Sequence, residues 1–238
     1  MDKFLKTEIT DHCVHLIINN PTKRNAINLS MWKDLHKYLQ TFSENPELRV
    51  LVISGSGNKA FSAGADISEF GELRSTTSGR QNYEIAVQNA LISLKNLPLV
   101  SIAMIDGVAI GGGAEIAMEC DILIASKRSY FGITPAKLGI GYSERDVERL
   151  VKHLGPKNAL EILATGRLYS ADEALSLGWV RSVVESSELE EEVFEVKIRG
   201  KKYFTTDEKN GEIYAITPDN DIGDEIGKFK NGKPVFYN

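Results

Sequence analysis

Along the first part of the chain, short continuous apolar runs alternate with longer stretches in which apolar residues recur at helical spacing. Val14 to Ile18 predicts a strand, and Asn19-Asn20-Pro21-Thr22 punctuates it. Ser30 then reads as an N-cap, with Leu35, Leu39 and Phe42 at helical spacing until Asn45-Pro46 ends the pattern. Val50 to Ile53 is a compact apolar run followed by glycine, as expected of a buried strand. Helical periodicity returns from Tyr83 to Leu97. Leu99 to Ile105 predicts a second buried strand, Gly107 to Gly113 a glycine-rich turn, Ala114 to Glu119 a helix and Asp121 to Ala125 a further strand. Ala159 to Thr165 and Ala171 to Leu177 are helical again. This repeated β-then-α order with short turns predicts an α/β layer architecture with crossover helices.

The pattern changes near residue 193. Ser187 to Val193 predicts an acidic helix, whose run Glu188 to Glu192 reads as a solvated face. Beyond it Phe194-Glu195-Val196-Lys197-Ile198 alternates at period two, and Gly200, Lys209-Asn210-Gly211 and Asn231-Gly232 mark turns. We therefore expect a main domain over residues 1–193 and a small β-rich module over residues 194–238.

Composition narrows the function. The 238 residues contain 42% hydrophobic and 26% charged residues, ordinary values for a folded soluble protein. A net charge of −5 offers no basic surface for a nucleic-acid backbone and leaves room only for a local basic pocket for one phosphate group. The most apolar stretch, Val100 to Met118, is interrupted by Asp106 and Glu115 and does not read as a membrane span. Asp2 and Glu8 stand where a signal segment would be apolar. Cys13 and Cys120 are too few for a disulfide framework, so a reducing, cytoplasmic setting is expected. His12 and His15 point to opposite faces of a strand, His36 and His153 have no evident partner, and no metal is expected. Trp32 and Trp179 read as packing residues.

Two segments carry candidate chemistry. Phe61-Ser62-Ala63-Gly64-Ala65-Asp66-Ile67 follows one buried strand and places small residues where backbone must approach a ligand closely. Asp106-Gly107-Val108-Ala109-Ile110-Gly111-Gly112-Gly113-Ala114-Glu115 follows another and opens a helix, whose N-terminal end favours developing negative charge. One amide from each would form an oxyanion hole, and removing one such donor typically costs about 100- to 1,000-fold in rate.

With Asn25-Ala26-Ile27, Cys120-Asp121, Phe131-Gly132 and Thr165-Gly166-Arg167 in the same order, the chain resembles the crotonase (enoyl-CoA hydratase/isomerase) superfamily over residues 1–193. The resemblance implies a repeated ββα core. It also implies an acyl-CoA thioester as substrate, with coenzyme A entering only as part of that substrate and no separate cofactor. It assigns the amides of Ala63 and Gly112 to the oxyanion hole and Glu115 to proton transfer. Ala65, Asp66 and Ile67 would line the substrate pocket, together with Gly64 and Gly113. Arg24, Ala26 and Lys59 would touch coenzyme A. Hydratases of the family usually carry a second glutamate after Phe-Gly-x-Pro; here Pro135 takes that place, and Glu144 is one candidate substitute.

Thr134-Pro135, Leu138-Gly139 and Tyr142 resemble the methylmalonyl-CoA decarboxylase branch, in which Tyr142 would orient a leaving carboxylate. Hydratase or isomerase chemistry is the first expectation and malonyl-type decarboxylation the second. A catalytically degraded acyl-CoA-binding or scaffolding protein is the third. The family's trimer or hexamer is built with C-terminal helices that the β module replaces.

Overall fold

A computed structural model of the chain describes residues 4–57, 59–73, 76–189, 194–198, 201–205, 212–216, 222–230 and 233–237. The chain divides into two compact units, residues 1–189 and 190–238.

The first unit opens with the hairpin β1 (Leu5–Thr10) and β2 (Cys13–Ile18), followed by α1 (Leu29–Ser43) and β3 (Val50–Gly55). Next come β4 (Ala60–Ser62), α2 (Phe70–Leu73), α3 (Thr77–Lys95), β5 (Val100–Ile105), β6 (Val108–Ile110) and α4 (Gly112–Met118). The unit continues through β7 (Ile122–Ser126), β8 (Tyr130–Gly132), α5 (Glu144–Leu154), α6 (Pro156–Thr165), β9 (Tyr169–Ser170), α7 (Ala171–Ser176), β10 (Ser182–Val184) and α8 (Ser186–Leu189). Six strands form one sheet in the order β1-β2-β3-β5-β7-β10, and four form a second in the order β4-β6-β8-β9. From β2 to β10 the large sheet is parallel throughout.

The order repeats a simple rule. β3, β5 and β7 each enter the large sheet, and the strand that follows each of them, β4, β6 or β8, enters the small one before a helix closes the unit. This is a ββα repeat. Because parallel strands are covered on both faces, they read as nearly continuous apolar runs, which is why the sequence exposes them. Leu51, Ile53, Ala103, Ile105 and Ala125 are fully buried. The large aromatic side chains Trp32, Phe61, Phe131, Tyr169 and Trp179 fill the same core. No helix of the described residues is long and apolar enough to cross a membrane.

Several local expectations are corrected. Asn28 rather than Ser30 caps α1, its side-chain oxygen accepting from the Met31 amide at 2.9 Å. The helix expected from Tyr83 begins at Thr77, because Thr76 caps it by accepting from the Gly79 amide. α5, for which no element is expected above, has a clear apolar stripe of Val147, Leu150, Val151 and Leu154. All four histidines have partners: His12 meets the Glu47 carbonyl, His15 Ser54, His36 Ser93 and His153 the Trp179 carbonyl.

The second unit is an antiparallel sheet of β11 (Phe194–Ile198), β12 (Lys201–Thr205), β13 (Glu212–Ile216), β14 (Ile222–Lys230) and β15 (Lys233–Phe236), paired in chain order. Ile213 and Phe229, with Ile226 against them, form its small apolar cluster. The turn signals at Gly200, Lys209-Asn210-Gly211 and Asn231-Gly232 fall outside the described residues, as does the end of the expected acidic helix, of which Ser186–Leu189 is described.

Core burial sets an unequal sensitivity to truncation. Ile53, fully buried in β3, should lose about 2–5 kcal/mol on replacement by alanine. Leu160, 70% exposed on α6, should change by no more than about 0.5 kcal/mol. Urea unfolding of both variants checks this difference.

Candidate active site

The two candidate segments meet because β4 and β6 are parallel neighbours, so the loops that follow them leave the small sheet side by side. The approach is close. A Cβ added at Gly64, where φ is +90°, would lie 2.6 Å from the Ile110 carbonyl oxygen, and one at Gly113 would lie 2.4 Å from that of Ser62. Gly112 sits between them, where a Cβ would stand 2.9 Å from the Trp32 ring and 3.8 Å from the Ala65 nitrogen.

Hydrogen bonding then decides which amides are available. The Ala63 N–H donates to the Arg24 carbonyl at 2.9 Å. The Gly64 N–H donates to the Ser62 hydroxyl at 3.2 Å, and the Asp66 N–H to the Ile27 carbonyl at 2.9 Å. Ala65 forms a parallel bridge with Ile27, in which Gly64 O and Asp66 N make the bonds and the Ala65 N–H points to the other side. Among the described residues the amides of Ala65 and Gly112 donate to no protein acceptor. The expected pair of Ala63 and Gly112 is therefore corrected: the amide that stands free beside Gly112 belongs to Ala65.

These amides border a cavity of about 240 Å³. Glu115, in the first turn of α4, reaches the same cavity, although its side chain is almost wholly buried. Tyr142 donates its hydroxyl to Glu115 Oε1, while Glu115 Oε2 has no hydrogen-bond partner among the described residues. Burial and the nearby Asp146 carboxylate push the Glu115 carboxyl up to about 7, against the opposing effects of the Tyr142 hydroxyl and the Arg149 guanidinium. Burial, together with Glu115, likewise pushes the Tyr142 phenol well above its ordinary range, so Tyr142 remains a donor at neutral pH.

Behind Glu115 lies a polar network. Asp146 accepts from Ser143 Oγ at 2.6 Å, from Arg149 at 2.7 Å and from Gln88 Nε2 at 3.0 Å. Arg149 also pairs with Glu119.

The expected site residues divide into two sets. Ala63, Gly64, Ala65, Ile67, Gly112, Glu115 and Tyr142 line the cavity, whereas Arg24, Ala26, Lys59, Asp66 and Gly113 do not. Gly113 lies behind the wall against Ser62. Asp66 is buried but structural: Lys23 Nζ bonds it at 2.6 Å, and both the Ser68 amide and hydroxyl donate to it. Against the effect of burial, these partners hold its carboxyl below the usual range.

Ala26 is buried, and its carbonyl accepts from Asn20 Nδ2 at 2.9 Å. Arg24 and Lys59 are exposed. Glu144 does not line the cavity, but Glu84, Asp146, Phe70 and Tyr83 do, and sequence reasoning missed all four. Their only signal was position, on α2 for Phe70, α3 for Tyr83 and Glu84, and α5 for Asp146. Trp32 combines both roles, packed in the core, lining the cavity and donating from Nε1 to the Tyr83 hydroxyl at 3.2 Å.

Glu115 makes stability depend on pH. Its folded pKa near 7 lies above its ordinary value of 4.5, so the favourable protonated state is complete below about pH 4.5 and is lost as pH rises through about 7. Above that range the buried charge costs on the order of 3 kcal/mol. Glu115→Gln should accordingly match the parent protein near pH 4 and exceed its stability by a gap of that order at about pH 8. Urea unfolding at the two pH values checks this.

Comparisons with known proteins agree with the fold. The family model described as enoyl-CoA hydratase/isomerase matches residues 8–200. The short-chain-enoyl-CoA hydratase of Clostridium acetobutylicum is 38% identical over 172 residues, covering 72% of this chain and 65% of that protein. Enoyl-CoA hydratase domain-containing protein 3, mitochondrial, of Danio rerio is 33% identical, covering 77% of this chain and 63% of that one. The chain thus spans slightly less than two thirds of these two relatives. The structure of an enoyl-CoA hydratase/carnithine racemase from Magnetospirillum magneticum superposes with a TM-score of 0.77 at 33% identity, covering 79% of this chain and 71% of that one. The enoyl-CoA hydratase of Bacillus anthracis superposes with a TM-score of 0.75 at 31% identity, covering 79% and 73%. A ββα core, its paired glycine-rich loops and a match over residues 8–200 make this chain a member of the enoyl-CoA hydratase/isomerase, or crotonase, family.

Proposed function

We propose that the protein is an acyl-CoA enzyme of the hydratase/isomerase kind, which forms or protonates a thioester enolate. The observation that carries this reading is the placement of Glu115: a carboxyl poised near pH 7 opens on the cavity that the Ala65 and Gly112 amides border. A thioester oxygen held by those two amides would accept negative charge as the α-carbon loses or gains a proton, and preorganised donors stabilise that charge without rearrangement. Glu115 would carry the proton, since general acid–base efficiency is greatest when the group's pKa lies near the working pH.

Arg24 and Lys59 are exposed cations suited to the coenzyme's phosphates, and the Arg24 backbone is one hydrogen bond from Ala63 on the cavity wall. The relatives named as hydratases support the same reaction class.

A second reading is malonyl-type decarboxylation, favoured by Pro135 and Tyr142 on the cavity wall. Two features weigh against it. No lysine, arginine or histidine lines the cavity among the described residues, so a substrate carboxylate would enter without a counter-charge. The Tyr142 hydroxyl is also committed to Glu115.

Parallel assays of crotonyl-CoA hydration and of carbon dioxide release from methylmalonyl-CoA distinguish the two. Hydration should dominate, and Glu115→Gln should lower it about 100- to 10,000-fold. Faster release of carbon dioxide than hydration would reverse the order of the readings. A Glu115→Gln protein as active as its parent would contradict the proton-transfer role given to that carboxyl.

A further inference from the structure

Adding water across an enoyl double bond needs one group to take a proton from water and another to deliver one to the α-carbon. Position 135, where the resemblance to the hydratases implies a second glutamate, holds a proline on the cavity wall. The structure offers two other carboxyls in the same cavity, Glu84 and Asp146, and they are not equivalent.

Asp146 is engaged through both of its oxygens. Ser143, Arg149 and Gln88 donate to its oxygens, and its side chain is buried in the network behind Glu115. A carboxylate with donors on both oxygens, one of them a paired guanidinium, is held in place by its own network.

Glu84 is arranged differently. It projects from α3, exposed on the solvent side and lining the cavity, and accepts a single hydrogen bond, from Gln88 Nε2 to Oε1 at 3.1 Å. Its Oε2 accepts none among the described residues. Gln88 is one helical turn further along α3 and 3% exposed, with its Nε2 also bonded to Asp146 at 3.0 Å and its Oε1 contacted by Arg149 at 3.4 Å. A buried amide fixed by an ion-paired network therefore anchors one oxygen of Glu84 and leaves the other free. Glu84 is also close enough to Glu115 to act on its charge.

We propose that Glu84 is the second catalytic carboxylate, the group that activates water for addition to the β-carbon of the enoyl thioester. This assignment rests on the hydratase reading above. The step balances without any further reagent. The Glu84 carboxylate takes a proton from water as the water oxygen bonds to the β-carbon. The double-bond electrons move onto the thioester oxygen between the Ala65 and Gly112 amides. Protonated Glu115 then gives its proton to the α-carbon as the carbonyl re-forms. Glu84 ends protonated and Glu115 ionised, and transfer of that proton through cavity water restores the starting state.

The test compares Glu84→Gln and Glu115→Gln with the parent protein in two assays: crotonyl-CoA hydration, and exchange of the α-hydrogens of butyryl-CoA in deuterated water. Exchange needs the enolate and Glu115 but adds no water to a β-carbon. Glu84→Gln should lower hydration about 100-fold or more and exchange no more than about threefold, through its effect on the Glu115 charge, whereas Glu115→Gln should lower both about 100- to 10,000-fold. Glu84 is exposed, so its substitution does not disturb the core.

Parent-level hydration by Glu84→Gln beside an inactive Glu115→Gln overturns the assignment and leaves the enolate reading intact. Equal loss of hydration and exchange in Glu84→Gln also overturns it, because the residue would then act on the enolate. A parent protein that neither hydrates nor exchanges overturns both.

Discussion

The site exists because two backbone segments from successive ββα units pack against each other with no side chain between them. Gly64 and Gly113 face carbonyl oxygens at distances that no Cβ could occupy, and Gly112 faces both Trp32 and the Ala65 amide. That contact is fixed by the parallel pairing of β4 with β6, which in turn depends on the alternation that sends one strand of each unit to the large sheet and the next to the small one. The two free amides thus lie on backbone that close packing holds in place. This rigidity matters, because an oxyanion hole works only if its donors are already aimed where charge will develop.

The same rigidity permits an electrostatic arrangement that an isolated carboxyl could not sustain. Glu115 is buried in the first turn of α4, with Asp146 close enough to raise its proton affinity and with the Tyr142 hydroxyl and Arg149 keeping that rise in check. Each contribution is several residues or a whole element away in sequence. Arg149 itself is held by two acids, Glu119 and Asp146, so the network that sets the Glu115 proton is tied to α4 and α5 together. A destabilising buried acid is tolerable here because the surrounding core supplies the stability, a trade that recurs where function requires a strained group.

Much of this was legible in the sequence, and the limits have physical causes. Buried parallel strands announce themselves as apolar runs, so β2, β3, β5 and β7 could be placed to within a residue or two. The short strands of the small sheet, such as β6 and β8 at three residues each, leave no periodicity to detect. The glycine-rich segments located the paired loops but could not distinguish the Ala63 amide from that of Ala65, since the choice is made by Arg24 and Ile27, which lie elsewhere in the chain. Glu84 and Asp146 were invisible because an acidic residue on a helix ordinarily faces water, and only the packing of α3 and α5 around one cavity gives these two a shared environment.

The central claim is that the Ala65 and Gly112 amides receive the thioester oxygen. A crystal structure of the Glu115→Gln protein with bound crotonyl-CoA tests it most directly. The account predicts the thioester oxygen within about 2.7–3.1 Å of both nitrogens. A thioester oxygen bonded to neither amide, in an otherwise intact complex, would contradict it.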